Sequence, residues 1–408
     1  MLYDLHELQR SFLTPLAAFT DTGSQLFSNP YSPFAYTPVS RQIAATYELV
    51  HRLGKDYEKP AWGLPTTVID GKEVNITEQP ALQKPFCNLV HFQRQVPKSR
   101  PPDPKVLLVA PLSGHHATLL RDTVRALLPQ HDVYVTDWVD ARMVPPAAGP
   151  FHLNDYVKYV QEFIRLLGPD VHVISVCQPT VPVLAAISLM AANNEPCLPR
   201  SMIMMGGPID TRESPTQVNR LATTKPYSWF ENNLIHRVPS RFPGGGRPVY
   251  PGFLQHMGFV AMNPDRHLRS HYDFYLDLIK GDDSDAEAHR RFYDEYNAVM
   301  DMPAEFYLDS IKIVFQEHQL PSGTWEVDGQ KVDPGAITGV ALLTIEGELD
   351  DISGQGQTRA AQNLCSSIPK NRKQHYTAPQ CGHYGIFSGR RWREMICPKI
   401  AQFIRQSA

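Results

Sequence analysis

Three side chains of reactive type stand at the ends of predicted strands, Cys177, Asp350 and His383, in that order along the chain. A thiol, a carboxylate and an imidazole supply a nucleophile, an orienting acid and a base, the equipment of covalent acyl transfer. Cys177 lies in Ser175-Val176-Cys177-Gln178-Pro179, between the apolar run Val171–Val176 and a segment of helical pattern. A sharp strand-to-helix turn there would expose the thiol at the top of a sheet. The N–H groups and positive dipole end of the following helix would favour its thiolate. The pentapeptide departs from G-x-S-x-G at three places: Ser175 and Pro179 stand for the glycines and Cys177 for the serine. On the motif alone, a buried structural cysteine fits as well.

The downstream residues favour the reactive reading. The apolar run 340–346 ends in Glu346-Gly347-Glu348-Leu349-Asp350-Asp351-Ile352, where Asp350 is the expected orienting acid and Asp351 the alternative. The plain reading of that stretch is a solvated acidic turn. Further on, Cys381-Gly382-His383-Tyr384-Gly385-Ile386-Phe387 places a histidine between nearby glycines, before a last helix. Nucleophile, acid, histidine is the order of the α/β-hydrolase fold. In that fold the oxyanion hole takes one N–H from the residue after the nucleophile and one from an earlier loop. The backbone donors are therefore expected at Gln178 and at Leu112 or Ser113, in Ala110-Pro111-Leu112-Ser113-Gly114-His115-His116. His115 and His116 are expected to pack around the site rather than touch substrate. His172, inside a strand, reads as a satisfied core histidine.

The elements that must position these residues follow from the hydropathy pattern. Short apolar runs at 106–110, 132–137, 171–176, 202–205 and 340–346 alternate with helical periodicity near 118–128, 156–167 and 179–192. A further strand near 374–377 and a helix over 392–405 close the chain. Near-continuous apolar strands alternating with helices predict a doubly wound, mostly parallel sheet covered on both faces. The alternation stops over 208–338, a stretch rich in aromatics such as Tyr227, Trp229, Phe253 and Phe292, which reads as a large helical cap insertion with a flexible break at Gly244-Gly245-Gly246. Residues 1–95 read as an N-terminal extension, with helices carrying Leu5, Leu8, Phe12, Leu13 and Leu16 on one face and spanning 42–53, and a hairpin turning at Asp70-Gly71. The apolar face of the first helix is expected to pack against the main body, with contact to a membrane or particle as the alternative. The proline-rich stretch 96–104 marks a boundary, giving an extension over 1–95, a core over 96–207 and 339–408, and the cap between.

Composition narrows the function classes. The 408 residues hold 39 Lys+Arg against 42 Asp+Glu, a net charge of −3, with no basic run to meet a phosphate backbone, so nucleic acid is not an expected partner. No window reaches the apolar length of a membrane span, and the acidic opening does not read as a signal peptide, so a soluble, non-exported protein is expected. The six cysteines show neither C-x-x-C pairs nor zinc-type spacing. They are expected to be reduced thiols, all but Cys177 being small buried side chains.

Taken together, Met1-Leu2-Tyr3-Asp4-Leu5-His6-Glu7-Leu8-Gln9-Arg10, Tyr57-Glu58-Lys59-Pro60, the Cys177 turn, Glu348-Leu349-Asp350-Asp351-Ile352 and Gly382-His383-Tyr384-Gly385-Ile386-Phe387 resemble the intracellular poly(3-hydroxybutyrate) depolymerases of bacteria, from end to end. That resemblance implies an α/β-hydrolase that cleaves amorphous polyester on cytoplasmic granules, with Cys177 as nucleophile, Asp350 as orienting acid, His383 as base, and no metal or organic cofactor. The partner it implies is the polymer and the granule surface; self-association stays open. A polyhydroxyalkanoate synthase-like acyltransferase, an inactive granule-coat protein and a general carboxylesterase remain as alternatives.

Overall fold

The computed structural model describes residues 2–97, 99–262 and 264–407; Lys98 of the proline-rich boundary lies outside the described residues. Nine strands form one sheet: β1 (Thr66–Ile69), β2 (Lys72–Gln83), β3 (Cys87–Arg94), β4 (Lys105–Val109), β5 (Asp132–Trp138), β6 (Val171–Val176), β7 (Ser201–Met205), β8 (Ala341–Gly347) and β9 (Lys373–Ala378). Their spatial order is β1-β2-β3-β5-β4-β6-β7-β8-β9. The first three pair antiparallel and β3 runs antiparallel to β5, while every pairing from β5 to β9 is parallel. This is the α/β-hydrolase arrangement, with the expected strands all present.

The central strands are apolar runs because both faces are covered. Every residue of β6, β7 and β8 is buried. Helix α1 (Leu2–Ser28) and α2 (Ser40–Gly54) precede the sheet; α3 (Arg121–Leu127), α4 (Leu153–Leu167) and α5 (Thr180–Ala192) cover it. On α4 the stripe Tyr156, Val160, Phe163, Ile164 and Leu167 is buried as its period predicts. Helix α5 is apolar all round and buried from Thr180 to Ala191, as befits the helix behind the β6 turn.

Between β7 and β8 the chain forms α6 (Gln217–Thr224), α7 (Tyr227–Leu234), α8 (Gly252–Met262), α9 (Pro264–Lys280), α10 (Asp283–Asn297) and α11 (Ala304–Asp309). Polar clamps bind this segment over the loop after β4. Met300 N–H donates to Gly114 O at 2.7 Å, and Glu295 accepts from Thr118 Oγ1 at 2.7 Å. Arg247, buried, ties the segment to the loop after β5 by donating to the carbonyls of Val144, Pro145 and Gly149. The run Gly244-Gly245-Gly246 is a packed turn rather than a flexible break. Gly244 donates to Arg142 O at 2.8 Å, and a Cβ there would stand 2.7 Å from the same oxygen. Glycine is needed for that close backbone approach.

Two expectations for residues 1–95 need correction. The hairpin forms, with Asp70 and Gly71 both at positive φ as a type I′ turn requires. Its second strand, however, continues through β3 into the main sheet, so the boundary at 96–104 falls between two strands of one sheet. The first two helices clasp the segment between β7 and β8, through Tyr3 Oη to Asp301 Oδ2 at 2.6 Å, Arg52 to Asp294 at 2.8 Å and Arg290 to Glu48 at 2.6 Å. The Leu/Phe face of α1 does not pack inward: Leu5, Leu8, Phe12 and Leu16 are exposed, and only Leu13 is half-buried. Periodicity states which residues share a face, not what that face meets.

Candidate active site

Cys177 opens the three-residue turn Cys177-Gln178-Pro179 between β6 and α5 with φ +69°, a left-handed conformation that costs a non-glycine residue about 1–2 kcal/mol. The bend is held on both sides. Its N–H donates to Met205 O at 2.7 Å, extending the β6–β7 ladder, and its carbonyl accepts from Thr180 N–H at 3.1 Å and Thr180 Oγ1 at 3.0 Å. Of the positions that lack glycine, Ser175 is buried and donates its hydroxyl to Ile203 O at 3.3 Å, and Pro179 precedes the first residue of α5.

The glycines missing from the pentapeptide stand one strand away. Directly after β7, a Cβ on Gly207 would lie 1.8 Å from Thr180 Oγ1. A Cβ on Gly206, whose φ is +56°, would lie 2.5 Å from Ile386 Cδ1 and 3.4 Å from both Asp350 Oδ2 and His383 Cε1. The close approach usually relieved inside the nucleophile's own turn is relieved here by its neighbour. The Gly206-Gly207 pair at the end of an apolar run was the available signal, and sequence reasoning passed over it.

Asp350 and His383 arrive from the loops after β8 and β9. His383 Nδ1 lies 2.7 Å from Asp350 Oδ2, with the histidine side chain 5% exposed and the carboxylate fully buried. The other carboxylate oxygen accepts the N–H groups of Ile352 at 2.9 Å and Ser353 at 2.8 Å. Asp351, the alternative acid, faces solvent. The thiol of Cys177 is the ring's other polar neighbour. Burial disfavours the imidazolium, but the Asp350 charge, Cys177 and hydrogen bonds to both outweigh it, and the His383 pKa lies well above the ordinary histidine value. The structure thus sets His383 against Asp350 and beside Cys177.

Behind Asp350, Glu346 shapes the loop. Buried at the end of β8, it accepts the N–H groups of Gly356 at 3.0 Å and Arg359 at 2.8 Å. Thr358 Oγ1 in turn accepts from Gly207 N–H at 2.7 Å, tying this loop to the glycine pair. Neither residue was singled out from sequence, because a buried carboxylate on a strand looks like any solvated acid until its loop closes on it.

The loop after β4 carries the second expected donor. Leu112 N–H points at the Oε1 of Gln178, 3.4 Å away, which turns that donor towards the residue following Cys177. The backbone just before it is pinned: Ala110 O accepts from Trp138 Nε1 at 2.8 Å and Tyr156 Oη at 3.1 Å, and Ala110 N–H donates to Thr136 Oγ1 at 2.9 Å. Tyr156 was legible only as part of the helical pattern over 156–167, and Trp138 falls one residue beyond the strand expected over 132–137. His115 packs, as expected, stacked on Phe259 at 4.8 Å with Nε2 3.2 Å from Tyr296 O. His116 is also buried, and burial lowers its pKa to about 3. His172 is a core histidine with Nδ1 2.8 Å from Ser201 Oγ.

All six cysteines are unpaired; Cys87, Cys365, Cys381 and Cys397 are buried, and Cys197 is half-buried. Among the described residues, no helix is long and apolar enough to cross a membrane, and no cluster of His, Cys, Asp or Glu is placed to hold a metal ion.

Residues 206–408, from Gly206 through Asp350 and His383 to the C-terminus, match the family model described as PHB de-polymerase C-terminus. The chain is a PHB depolymerase-like α/β-hydrolase. The match begins downstream of Cys177, so it takes in the acid and the histidine of this depolymerase-like hydrolase but not the thiol. No curated protein matches the chain. Solved structures similar to it include the meta-cleavage product hydrolase from Pseudomonas fluorescens IP01, at 14% identity and TM-score 0.42, covering 84% of this chain and 98% of that one. The 2-hydroxy-6-oxo-6-phenylhexa-2,4-dienoate hydrolase from Rhodococcus sp. strain RHA1 gives 13% identity and TM-score 0.40, covering 81% and 99%. A thermophilic esterase from Thermogutta terrifontis gives 12% identity and TM-score 0.39, covering 84% and 97%.

Proposed function

We propose that this hydrolase cleaves the ester bonds of amorphous poly(3-hydroxybutyrate) through a thioester on Cys177, with His383 as proton carrier and Asp350 as its orienting group. The observation that carries the reading is the buried Asp350–His383 hydrogen bond beside a cysteine held in a left-handed strand-to-helix turn. The match of residues 206–408 to the depolymerase family supports ester hydrolysis in general and favours a polymer as the substrate.

In the first half-reaction the Cys177 sulfur, its proton held by His383, attacks an ester carbonyl of the polymer. The carbonyl oxygen takes up negative charge and is met by the N–H groups of Gln178 and Leu112, the Gln178 side chain swinging off the latter. Ser113 is the alternative donor on that loop. The tetrahedral intermediate collapses, the C–O bond breaks, and His383 gives its proton to the departing hydroxyl end of the chain. In the second half, His383 takes a proton from water, the hydroxide attacks the thioester, and the thiolate leaves with a 3-hydroxyacid as the other product. Asp350 holds Nδ1 protonated throughout, so that the other ring nitrogen faces the chemistry. The segment 208–338 is the cap over this site, and the place of action is the surface of polymer granules inside the cell.

The test is incubation with amorphous poly(3-hydroxybutyrate) particles, following acid release and soluble products. One acid equivalent is expected per ester cleaved, with 3-hydroxybutyrate or its short oligomers in solution. Absence of cleavage by the wild-type protein, or growth of polymer from 3-hydroxybutyryl-CoA, would overturn the reading.

A further inference from the structure

An amphipathic helix normally turns its apolar stripe inward, and α1 does the reverse. Leu5, Leu8, Phe12, Leu16 and Phe19 recur at spacings of three and four, the period of one helical face, and each is exposed, between 49% and 73%. The residues that α1 buries are Tyr3, Glu7, Ala17, Thr20 and Ser24, mostly small or polar. Leaving five large apolar side chains in water while burying hydroxyl groups and a carboxylate is unfavourable for the chain on its own. Beyond the helix the same character continues in Tyr31, Phe34 and Tyr36, all exposed. The stripe alone amounts to roughly 500 Å² of apolar surface, a size that marks interaction sites.

Charge and helix geometry select the occupant. Helix α1 carries Asp4, Glu7 and Asp21 against a single Arg10, and residues 11–20 hold no charge at all. A helix that lies on anionic lipid flanks its apolar face with several Lys and Arg, whereas α1 has Arg10 alone, paired with Glu7 and Asp56. Pro15 sits inside the helix, where it breaks the hydrogen-bond ladder and disfavours the regular seam of a coiled coil with a second copy. A neutral aliphatic polyester asks for neither basic flanks nor a straight partner helix. It offers methyl and methylene groups to leucine and phenylalanine, and ester carbonyls to the Tyr31 hydroxyl; the Tyr36 hydroxyl already donates to Pro30 O at 2.8 Å.

We propose that the outward stripe of α1, continued by Tyr31, Phe34 and Tyr36, is the surface by which the enzyme settles on uncharged solid polyester. The inference rests on the polyester reading above and assigns it a docking surface separate from the Cys177 site. The experiment compares the full chain with the double variants Phe12→Ser/Phe19→Ser and Leu5→Ser/Leu8→Ser. Each is assayed by sedimentation with amorphous poly(3-hydroxybutyrate) particles, by flotation with phosphatidylglycerol vesicles, by light scattering for mass, and by kcat/KM on a soluble p-nitrophenyl ester. Particle affinity is expected to fall about tenfold or more in each variant, with soluble-ester kcat/KM within about twofold of wild type and an unchanged mass. The proposal is overturned by variants that sediment like wild type, by wild-type binding to the vesicles as tight as to the particles, or by a wild-type dimer that the substitutions dissociate. Particles cleaved by wild type while the variants bind unchanged would sink the docking surface alone. Particles bound through the stripe but never cleaved would sink the polyester hydrolysis and leave the surface standing.

Discussion

Replacing Asp350 by asparagine tests the relay at its most constrained atom. The carboxylate accepts three hydrogen bonds, from Ile352 and Ser353 N–H on one oxygen and from His383 Nδ1 on the other. In Asp350→Asn the amide oxygen must face the two backbone N–H groups, because its NH₂ would meet them donor to donor. That leaves NH₂ against His383 Nδ1, which must then accept, and the ring proton moves to the other nitrogen, where it confronts Cys177. The same substitution removes the charge that lifts the His383 pKa, so the imidazole is expected to titrate lower than in wild type. A ring held in the wrong tautomer is expected to cost about a thousandfold in kcat/KM, or about 4 kcal/mol of transition-state stabilisation. Stability should fall less, by about 1–3 kcal/mol, since the two backbone hydrogen bonds persist and the third is remade in reverse without the carboxylate charge. The assay is kcat/KM on a soluble 3-hydroxybutyrate oligomer, beside a thermal melt. Asp351→Asn, at the exposed neighbour, is expected to stay within about twofold of wild type. An Asp350→Asn enzyme within tenfold of wild type, or an Asp351→Asn enzyme equally impaired, would refute the reasoning.

Other substitutions probe how the site is held. Tyr156→Phe removes one of the two donors on Ala110 O and is expected to cost about 1 kcal/mol of stability and to lower kcat more than it changes KM; adding Trp138→Phe, which leaves the carbonyl unpaired, should cost more than the sum. Gly206→Ala forces a Cβ to within 2.5 Å of Ile386 Cδ1 at a φ of +56°, so activity should drop and Ile386→Val should restore part of it; no rescue would count against the close packing described. His115, His116, His131 and His172 are buried, with burial lowering their pKa values to about 4, 3, 4 and 4. The unfolded chain takes up those protons near pH 6.5 and the native chain does not, so stability should fall as pH drops from about 6.5 towards 4, by up to about 1.4 kcal/mol per unit for each histidine. His383 acts in the opposite sense: its raised pKa gives a contribution that is complete below about pH 6.5 and lost as pH rises through its native value. Denaturant titrations at several pH values read both, and His172→Asn should flatten the acidic limb by about one proton.

The parallel half of the sheet was legible because strands buried on both faces must be apolar throughout, as in Val171–Val176 and Ala341–Gly347. The edge strands were harder. Lys72–Gln83 is mostly exposed and reads as polar, so nothing in its composition signals that it leads into the main sheet. The three residues at strand ends could be picked out because chain order and strand position constrain them together. What supports them could not: the Gly206-Gly207 relief, the Glu346 loop closure and the double hold on Ala110 O depend on approaches between segments distant in sequence. The Gly244–Gly246 turn misled for the same reason, since composition reports freedom of the backbone but not the neighbour that requires it.

The central claim is that the acyl group passes through the sulfur of Cys177. Turnover of a soluble 3-hydroxybutyrate oligomer, quenched in acid and followed by mass spectrometry of the digested protein, reads this directly. The account predicts one 3-hydroxybutyryl group on the peptide containing Cys177, removable by hydroxylamine and absent from Cys177→Ala, which should also lose activity by at least about a thousandfold. An adduct on Ser113 or Ser175, or a Cys177→Ala enzyme that turns over as fast as wild type, would contradict it.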